Sequence, residues 1–146
     1  MKVDDKIVID CCVSMMWFTK DQSNKSLYNY SMKIFDLISS SYTAIVPRLW
    51  EYEVSNVMSN LIKHKLVTMS QCLEFWDLLQ QLDITVVELD QTYGLSSRIL
   101  LSVEEKISTY DAAYLDLASY LNIQLATTDK KLMQAAKNLQ RFFTIS

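Results

Sequence analysis

Short apolar runs alternate with longer segments of helical period along the whole chain, and this alternation constrains the fold more than any other feature. The runs with strand character are residues 6–10, 43–46, 84–89, 123–127 and, more weakly, 141–145. The segments of helical period lie at about 23–39, 49–65, 69–82, 91–105, 109–121 and 130–138. Strands that alternate with helices form a largely parallel sheet covered by those helices. We therefore predict an α/β fold.

The composition allows one domain with one substantial core. The chain has 146 residues, of which 50% are hydrophobic, and this is an ordinary size for a single domain. A flexible linker has no obvious place, since the chain has only one glycine and one proline. We expect a single domain over residues 1–146. No apolar stretch approaches the roughly 20 residues of a membrane span, and the start MKVDDK lacks the apolar stretch of a signal peptide, so we expect a cytoplasmic protein.

Several classes of protein are disfavoured by residue counts alone. Three cysteines (Cys11, Cys12 and Cys72) and one histidine (His64) show neither a disulfide framework nor the ligand spacing of a zinc site. A single histidine without a nucleophile elbow does not support a Ser-His-Asp enzyme. One glycine excludes a glycine-rich phosphate loop. The net charge of −3 argues against a broad basic surface that grips nucleic acid by itself.

Carboxylates lie where the predicted strands end. Asp10 ends the first strand candidate, and Asp129 follows the fourth. Glu53 lies in the first turns of the helix after the second strand, on a polar stripe that an ordinary solvated helix face would also show. Asp111 lies in the first turn of the helix over 109–121. In parallel sheets, functional sites form beyond the carboxyl ends of the strands, which is where these acids fall.

Some of these acids also have plain structural interpretations. Asp111 fits a capping box with Ser108, and Asp129 fits the N-cap of the last helix, as Asp90 does after the third strand. Asp116 lies about 140° round its helix from Asp111, so we expect it to face away and leave it outside the site. The residues alone do not tell which of the strand-end acids converge.

A cluster of four carboxylates would require a compensating cation. Each ionised neighbour raises the pKa of the next carboxyl group and makes ionisation costly. Oxygen ligands suit Mg²⁺ or Mn²⁺, which also bind phosphate oxygens. A water bound to such an ion has a lowered pKa and can attack phosphorus. If the acids converge, metal-dependent phosphodiester hydrolysis is the chemistry that follows.

The order of these motifs resembles that of PIN-domain ribonucleases, most of all the VapC-type toxins of toxin–antitoxin pairs. Four segments carry the resemblance: IVIDCCVSMMWF with Asp10, VPRLWEYEVSNVM with Pro47, Glu53 and Asn56, STYDAAYLDLA with Asp111, and LATTDKKL with Thr127 and Asp129. The resemblance implies a PIN-like three-layer α/β/α fold with a central, mainly parallel sheet of four to five strands. It also implies cleavage of single-stranded or looped RNA in an acidic pocket that holds Mg²⁺ or Mn²⁺.

The resemblance also assigns roles to residues of this chain. Metal binding and catalysis fall to four acids: Asp10, Glu53, Asp111 and Asp129. Asn56 and Thr127 would support the pocket. Many relatives have Ser or Thr where this chain has Cys12, and a thiol is a weaker hydrogen-bond donor than a hydroxyl. The implied partners are an RNA substrate, a cognate antitoxin protein and a second copy of the chain in a homodimer.

Basic side chains near the acids are candidates for holding RNA phosphates. Lys130 and Lys131 follow the last acid directly, and Arg48 precedes the helix that carries the second. Ordinary solvated charges explain these three residues equally well. Trp17, Phe18 and Trp50 could stack on unpaired bases, although a place in the core is the commoner role for such aromatics. The alternative function is a catalytically silent PIN-like module that binds RNA or a partner.

Overall fold

Four parallel strands form the central sheet of the computed structural model, which describes residues 5–88 and 93–145. The strands are β1 (Lys6–Ile9), β2 (Thr43–Pro47), β3 (Ile84–Val87) and β4 (Gln124–Ala126). Their order across the sheet is β3-β2-β1-β4, and all three pairings are parallel. The two central strands, β1 and β2, are apolar and almost fully buried, as expected of strands covered on both faces.

Helices cover the sheet and connect its strands. In the described ranges they are α1 (Cys11–Thr19), α2 (Lys25–Ser40), α3 (Leu49–Lys63), α4 (Met69–Gln81), α5 (Leu95–Glu105), α6 (Thr109–Leu121) and α7 (Lys130–Asn138). None of them is both long enough and apolar enough to cross a membrane. The predicted fold class, a three-layer α/β/α architecture with a mainly parallel sheet, is confirmed.

The sequence pattern did not predict α1. This helix begins directly after Asp10, and five of its nine residues are buried. Because α1 is apolar around most of its circumference, it lacks the 3.6-residue alternation that marks a surface helix. Its apolar residues therefore look like a continuation of β1 in the sequence.

The weak strand predicted over 141–145 is only partly realised. Leu125 of β4 forms an isolated parallel bridge with Phe142, and the described chain continues no further as a strand there. The end of the strand predicted over 84–89, the start of the helix predicted over 91–105 and the proposed cap Asp90 lie outside the described residues.

The register of β1 and β4 places the residues that follow them side by side. Ile9 pairs with Ala126, and the Asp10 backbone N–H donates to the Ala126 carbonyl at 3.3 Å. Asp10 and Thr127 therefore leave the sheet next to each other at its carboxyl edge. Helix α6 packs against β1, β2 and β4 and extends from the same region.

The two tryptophans proposed as alternative base-stacking groups belong to the core. Trp17 and Trp50 are both buried, and the third proposed ring, Phe18, is half-buried and stacks on Phe75 with centroids 4.7 Å apart. The Trp17 indole N–H donates to the Ser31 carbonyl at 2.7 Å, and that of Trp50 donates to the Ser14 hydroxyl at 2.9 Å. Buried rings with satisfied N–H groups have no face available for RNA bases, so the core interpretation is confirmed.

Candidate active site

Asp10 is a buried carboxylate held by two hydrogen bonds. It is 2% exposed. Its Oδ1 accepts the Val13 backbone N–H at 3.0 Å, which makes it the N-cap of α1, and its Oδ2 accepts the Thr127 hydroxyl at 2.5 Å. Burial raises the pKa of Asp10 to about 7; the two hydrogen bonds oppose this shift, and the charges of Asp111 and Asp129 add to it. The cost of placing this carboxylate beside the core is thus only partly compensated within the protein.

Thr127 connects the first acid with the fourth. Its hydroxyl donates to Asp10 and accepts the Asp129 backbone N–H at 3.0 Å. The Asp129 side chain accepts the Leu132 backbone N–H at 2.9 Å through Oδ1, so the predicted N-cap of the last helix is confirmed. Asp10 and Asp129 therefore each cap their own helix with Oδ1, and Thr127 links the two residues by bonding to both.

Asp111 lies in the first turn of α6, half-buried. The Ser108 hydroxyl caps this helix by accepting the Asp111 backbone N–H at 3.0 Å, which is the serine half of the predicted capping box. Partial burial raises the pKa of Asp111 to about 6, and the charges of Asp129 and Glu53 contribute to the increase. Capping and proximity to other acids are therefore compatible at this position.

Glu53 is half-buried on α3 and is oriented by a residue that the sequence pattern did not single out. The Tyr114 hydroxyl donates to Glu53 Oε1 at 2.5 Å, and Tyr114 is itself buried in α6. Partial burial raises the pKa of Glu53, and the bond from Tyr114 opposes the shift. The signal for Tyr114 is its place three residues after Asp111, because this spacing puts both on one side of the helix.

The four acids interact electrostatically at one rim of the sheet. Asp10 interacts with Asp111 and Asp129, and Asp111 also interacts with Asp129 and Glu53. Cys12 is exposed beside them; desolvation, followed by the charges of all four acids, raises the pKa of its thiol well above the usual range. This side chain is therefore a neutral thiol at physiological pH.

The donor chemistry of this rim fits a hard divalent cation, although no preformed cage is present. Across residues 5–88 and 93–145, no three or more His, Cys, Asp or Glu side chains form a group ready to hold a metal ion. Mg²⁺ keeps several waters and is commonly bound by one or two carboxylates together with substrate phosphates, so it needs no such cage. Burial is the main cause of the raised pKa values of Asp10 and Asp111, and the charges of neighbouring acids add to it; a bound cation would offset both effects.

The remaining predicted residues lie at the surface. Asn56 is exposed on α3, and Lys130 and Lys131 are exposed in the first turn of α7. The Arg48 guanidinium forms ion pairs with two neighbouring glutamates, at 2.6 and 3.0 Å. Arg48 would have to leave these glutamates to contact RNA.

Asp116, as expected, lies apart from the cluster: it is buried against α5, where it accepts a hydrogen bond from Ser97.

Solved structures of other proteins share this fold. PAE2754 from Pyrobaculum aerophilum has a TM-score of 0.65 and 17% sequence identity, over 90% of this chain and 80% of that chain. VapBC2 from Rickettsia felis, solved bound to a DNA fragment from their promoter, has a TM-score of 0.58 and 12% identity, over 94% of this chain and 96% of that chain. No family model and no curated protein matches the sequence. At these identities the similarity establishes the fold alone: the chain shares its fold with PAE2754 and with a chain of VapBC2.

Proposed function

We propose that this protein is a metal-dependent endoribonuclease that acts in the cytoplasm as the toxin of a toxin–antitoxin pair. The observation that carries the proposal is the group of four interacting acids at the carboxyl edge of the sheet, with the pKa of Asp10 raised to about 7 and that of Asp111 to about 6. The fold shared with VapBC2 supports a toxin role with a cognate antitoxin as partner.

The residues of the rim would divide the work of holding a cation and a strand of RNA. Asp10, Glu53, Asp111 and Asp129 would hold Mg²⁺ or Mn²⁺, and the bound ion would supply a polarised water and neutralise charge on the phosphate. Thr127 keeps two of these acids in register by bonding to both. Tyr114 fixes the orientation of Glu53.

The proposed substrate is single-stranded or looped RNA. Lys130 and Lys131 are exposed directly after Asp129, where they would neutralise phosphates next to the cleaved bond without reading sequence. With a net charge of −3, the protein would depend on such local contacts and on the bound cation to hold a polyanion.

The test is cleavage of a structured RNA by the purified protein with Mn²⁺. We expect cleavage that EDTA stops and that Asp10→Asn lowers at least about 100-fold, because the variant removes a charged ligand from the rim. The matched control is Asp77→Asn, which changes an exposed acid on α4 and should leave the rate unchanged.

The alternative function, a silent module, predicts a different outcome in the same assay. RNA would bind but would not be cleaved at any Mn²⁺ concentration, and Asp10→Asn would change binding little. The observation that favours this alternative is the thiol of Cys12 in place of a hydroxyl.

A further inference from the structure

The chain beyond α7 pairs with β4 through two hydrogen bonds and then leaves it. The Leu125 N–H donates to the Arg141 carbonyl at 2.7 Å, and the Phe143 N–H donates to the Leu125 carbonyl at 2.8 Å. Bonds in a parallel ladder are evenly spaced, so the next one would run from the Thr127 N–H to the Phe143 carbonyl. That bond is not among those of the described residues. The Tyr30 hydroxyl donates to the Phe143 carbonyl instead, at 2.6 Å.

The Tyr30 hydroxyl also serves as the acceptor for the Thr127 N–H. Thr127 is fully buried, and a buried backbone N–H ordinarily has a partner. Burial raises the pKa of the Tyr30 hydroxyl well above its usual range, the charge of Asp10 adds to the increase, and a hydrogen bond from the Thr127 backbone opposes it. The hydroxyl is therefore neutral, and it accepts from Thr127 while it donates to Phe143.

The side chain of Tyr30 is held in place on two sides. Its ring stacks on Phe142, with centroids 5.6 Å apart and an angle of 16° between the planes. The next residue of α2, Ser31, is buried and accepts the Trp17 indole N–H at 2.7 Å through its carbonyl. Trp17 belongs to α1, the helix that Asp10 caps. The position of the Tyr30 hydroxyl is therefore fixed relative to both the C-terminal segment and α1.

We propose that Tyr30 is a positioning residue for the candidate active site. The Thr127 hydroxyl bonds to the Asp10 side chain and to the Asp129 backbone, and Tyr30 fixes the backbone of the same threonine. The support of the two acids thus extends through Tyr30 to the Phe143 carbonyl. This inference rests on the proposed function, because it names a residue that holds the ion-binding acids in place.

The inserted hydroxyl also accounts for the end of the ladder. Two hydrogen bonds in series separate the N–H nitrogen from the carbonyl oxygen by about 5 Å, whereas a direct bond needs about 2.9 Å. Without the hydroxyl, the Thr127 N–H would lose its partner, or the C-terminal segment would close onto β4. Either change would displace Thr127, and with it the two acids that Thr127 links.

Tyr30→Phe tests the proposal, because it removes the hydroxyl and keeps the ring on Phe142. We expect the Mn²⁺ affinity to fall about 3–10-fold, less than the 10–100-fold typical of a residue that bonds a metal ligand directly. The kcat of RNA cleavage should fall by a similar factor, while KM changes little. Calorimetric titration and cleavage kinetics measure this at a temperature at which both proteins are folded. Wild-type Mn²⁺ affinity in this variant would overturn the proposal.

Tyr42→Phe is the matched control. Tyr42 also packs against the C-terminal segment, with its ring edge-to-face with that of Phe143 and centroids 5.7 Å apart. Its hydroxyl has no hydrogen bond within residues 5–88 and 93–145, so its removal should change neither Mn²⁺ affinity nor kcat. An equal loss in both variants would overturn the proposal, because general loosening of the segment would then be the cause.

Amide hydrogen exchange of the metal-free protein, followed by NMR, provides a readout that needs neither ion nor RNA. The Thr127 amide should exchange slowly in the wild type and at least about tenfold faster in Tyr30→Phe, because its acceptor is lost. The Leu125 amide, which donates to Arg141, should exchange equally in both proteins. A rapidly exchanging Thr127 amide in the wild type would by itself overturn the proposal, even if the variant did not fold.

The two kinds of measurement separate this proposal from the proposed function. If the wild type bound no Mn²⁺ and cleaved no RNA, the nuclease function would fail, and the role of Tyr30 would fail with it. If the wild type bound Mn²⁺ but the Thr127 amide exchanged equally in the wild type and in Tyr30→Phe, the role of Tyr30 alone would be refuted.

Discussion

The rim and the outer side of α5 (Leu95, Ile99, Leu100 and Val103) both place side chains in an environment that ordinarily disfavours them, but in opposite senses. The rim buries charge: Asp10 is 2% exposed, and burial raises its pKa to about 7. The outer side of α5 exposes apolar side chains to water. Hydrogen bonds hold both arrangements in place: Thr127 donates to Asp10 at the rim, and Ser97 of α5 donates to the buried Asp116 of α6. The difference indicates what each region would bind: buried charge is relieved by a cation, and exposed apolar area by another apolar surface.

The largest effect is expected from breaking the support of the rim. Thr127→Val removes the hydroxyl that bonds Asp10 and the Asp129 backbone, so Mn²⁺ affinity and RNA cleavage should fall about 10–100-fold. Calorimetric titration with Mn²⁺ and the cleavage assay measure this. Thr127→Ser keeps the hydroxyl and should stay within a few-fold of wild type. Equal losses in both variants would show that the hydrogen bonds are not the cause.

Breaking the anchor of α5 should instead lower stability. Asp116→Ala deprives Ser97 and Arg98 of their shared carboxylate, and we expect the free energy of unfolding in urea to fall by about 2 kcal/mol. Mn²⁺ affinity should stay the same. Asp116→Asn, which retains an acceptor for Ser97, should lose less. If Mn²⁺ affinity fell together with stability, the two regions would not be independent.

The buried charge of Asp10 gives the metal-free protein a pH-dependent stability. Its pKa is about 7 when folded, against an ordinary value of 3.8, so the folded state binds the proton more tightly than the unfolded state. The contribution of Asp10 to the free energy of unfolding is fully present below pH 3.8, and it is lost as the pH rises through about 7. The Asp10→Asn variant cannot ionise, so its stability does not fall over this pH range.

At pH 8 without metal, Asp10→Asn should therefore melt several degrees above wild type, since 1 kcal/mol corresponds to about 2–4 °C in a domain of this size. At pH 4 the difference should vanish. Scanning calorimetry at both pH values checks this, with Asp77→Asn as the control whose difference should not change with pH. A less stable Asp10→Asn at pH 8 would mean that its hydrogen bonds outweigh the buried charge.

A smaller effect should follow from releasing Glu53. Tyr114→Phe removes the hydroxyl that bonds Glu53, and we expect a loss of about 1 kcal/mol in stability and a few-fold loss of cleavage rate. Because Tyr114 touches no proposed substrate atom, kcat should fall while KM changes little. Tyr52→Phe alters an exposed tyrosine on the same helix as Glu53 and should have no effect. A change confined to KM would contradict a positioning role.

The smallest effect is expected at Cys12. Cys12→Ser replaces a weak donor with a hydroxyl beside the four acids, so Mn²⁺ affinity should rise by no more than about threefold. The same calorimetric titration measures it. A pronounced loss of affinity in this variant would indicate that the thiol itself contacts the ion.

The parts of the site that could be predicted depend on short sequence distances. Ser108 and Asp129 were predicted as caps because a cap acts on a backbone N–H three residues away. Asp10 could be predicted as a candidate site residue because the apolar run of β1 stops at it. Helix α1 was missed because it is apolar on nearly all sides, and Tyr114 was missed because its partner Glu53 lies 61 residues earlier in the chain.

By itself, the sequence determined most of the segments that become strands and helices, α1 excepted. It also put the four acids at or near the ends of such segments, since periodicity and capping operate within a few residues. Only the tertiary structure decided that these acids meet, because their meeting depends on the strand order β3-β2-β1-β4 and on contacts such as that between Asp10 and Thr127, 117 residues apart. It also decided which side of α5 faces outward: Ser97 and Arg98 lie against the buried Asp116 of α6, and the apolar side chains on the other side of the helix are exposed.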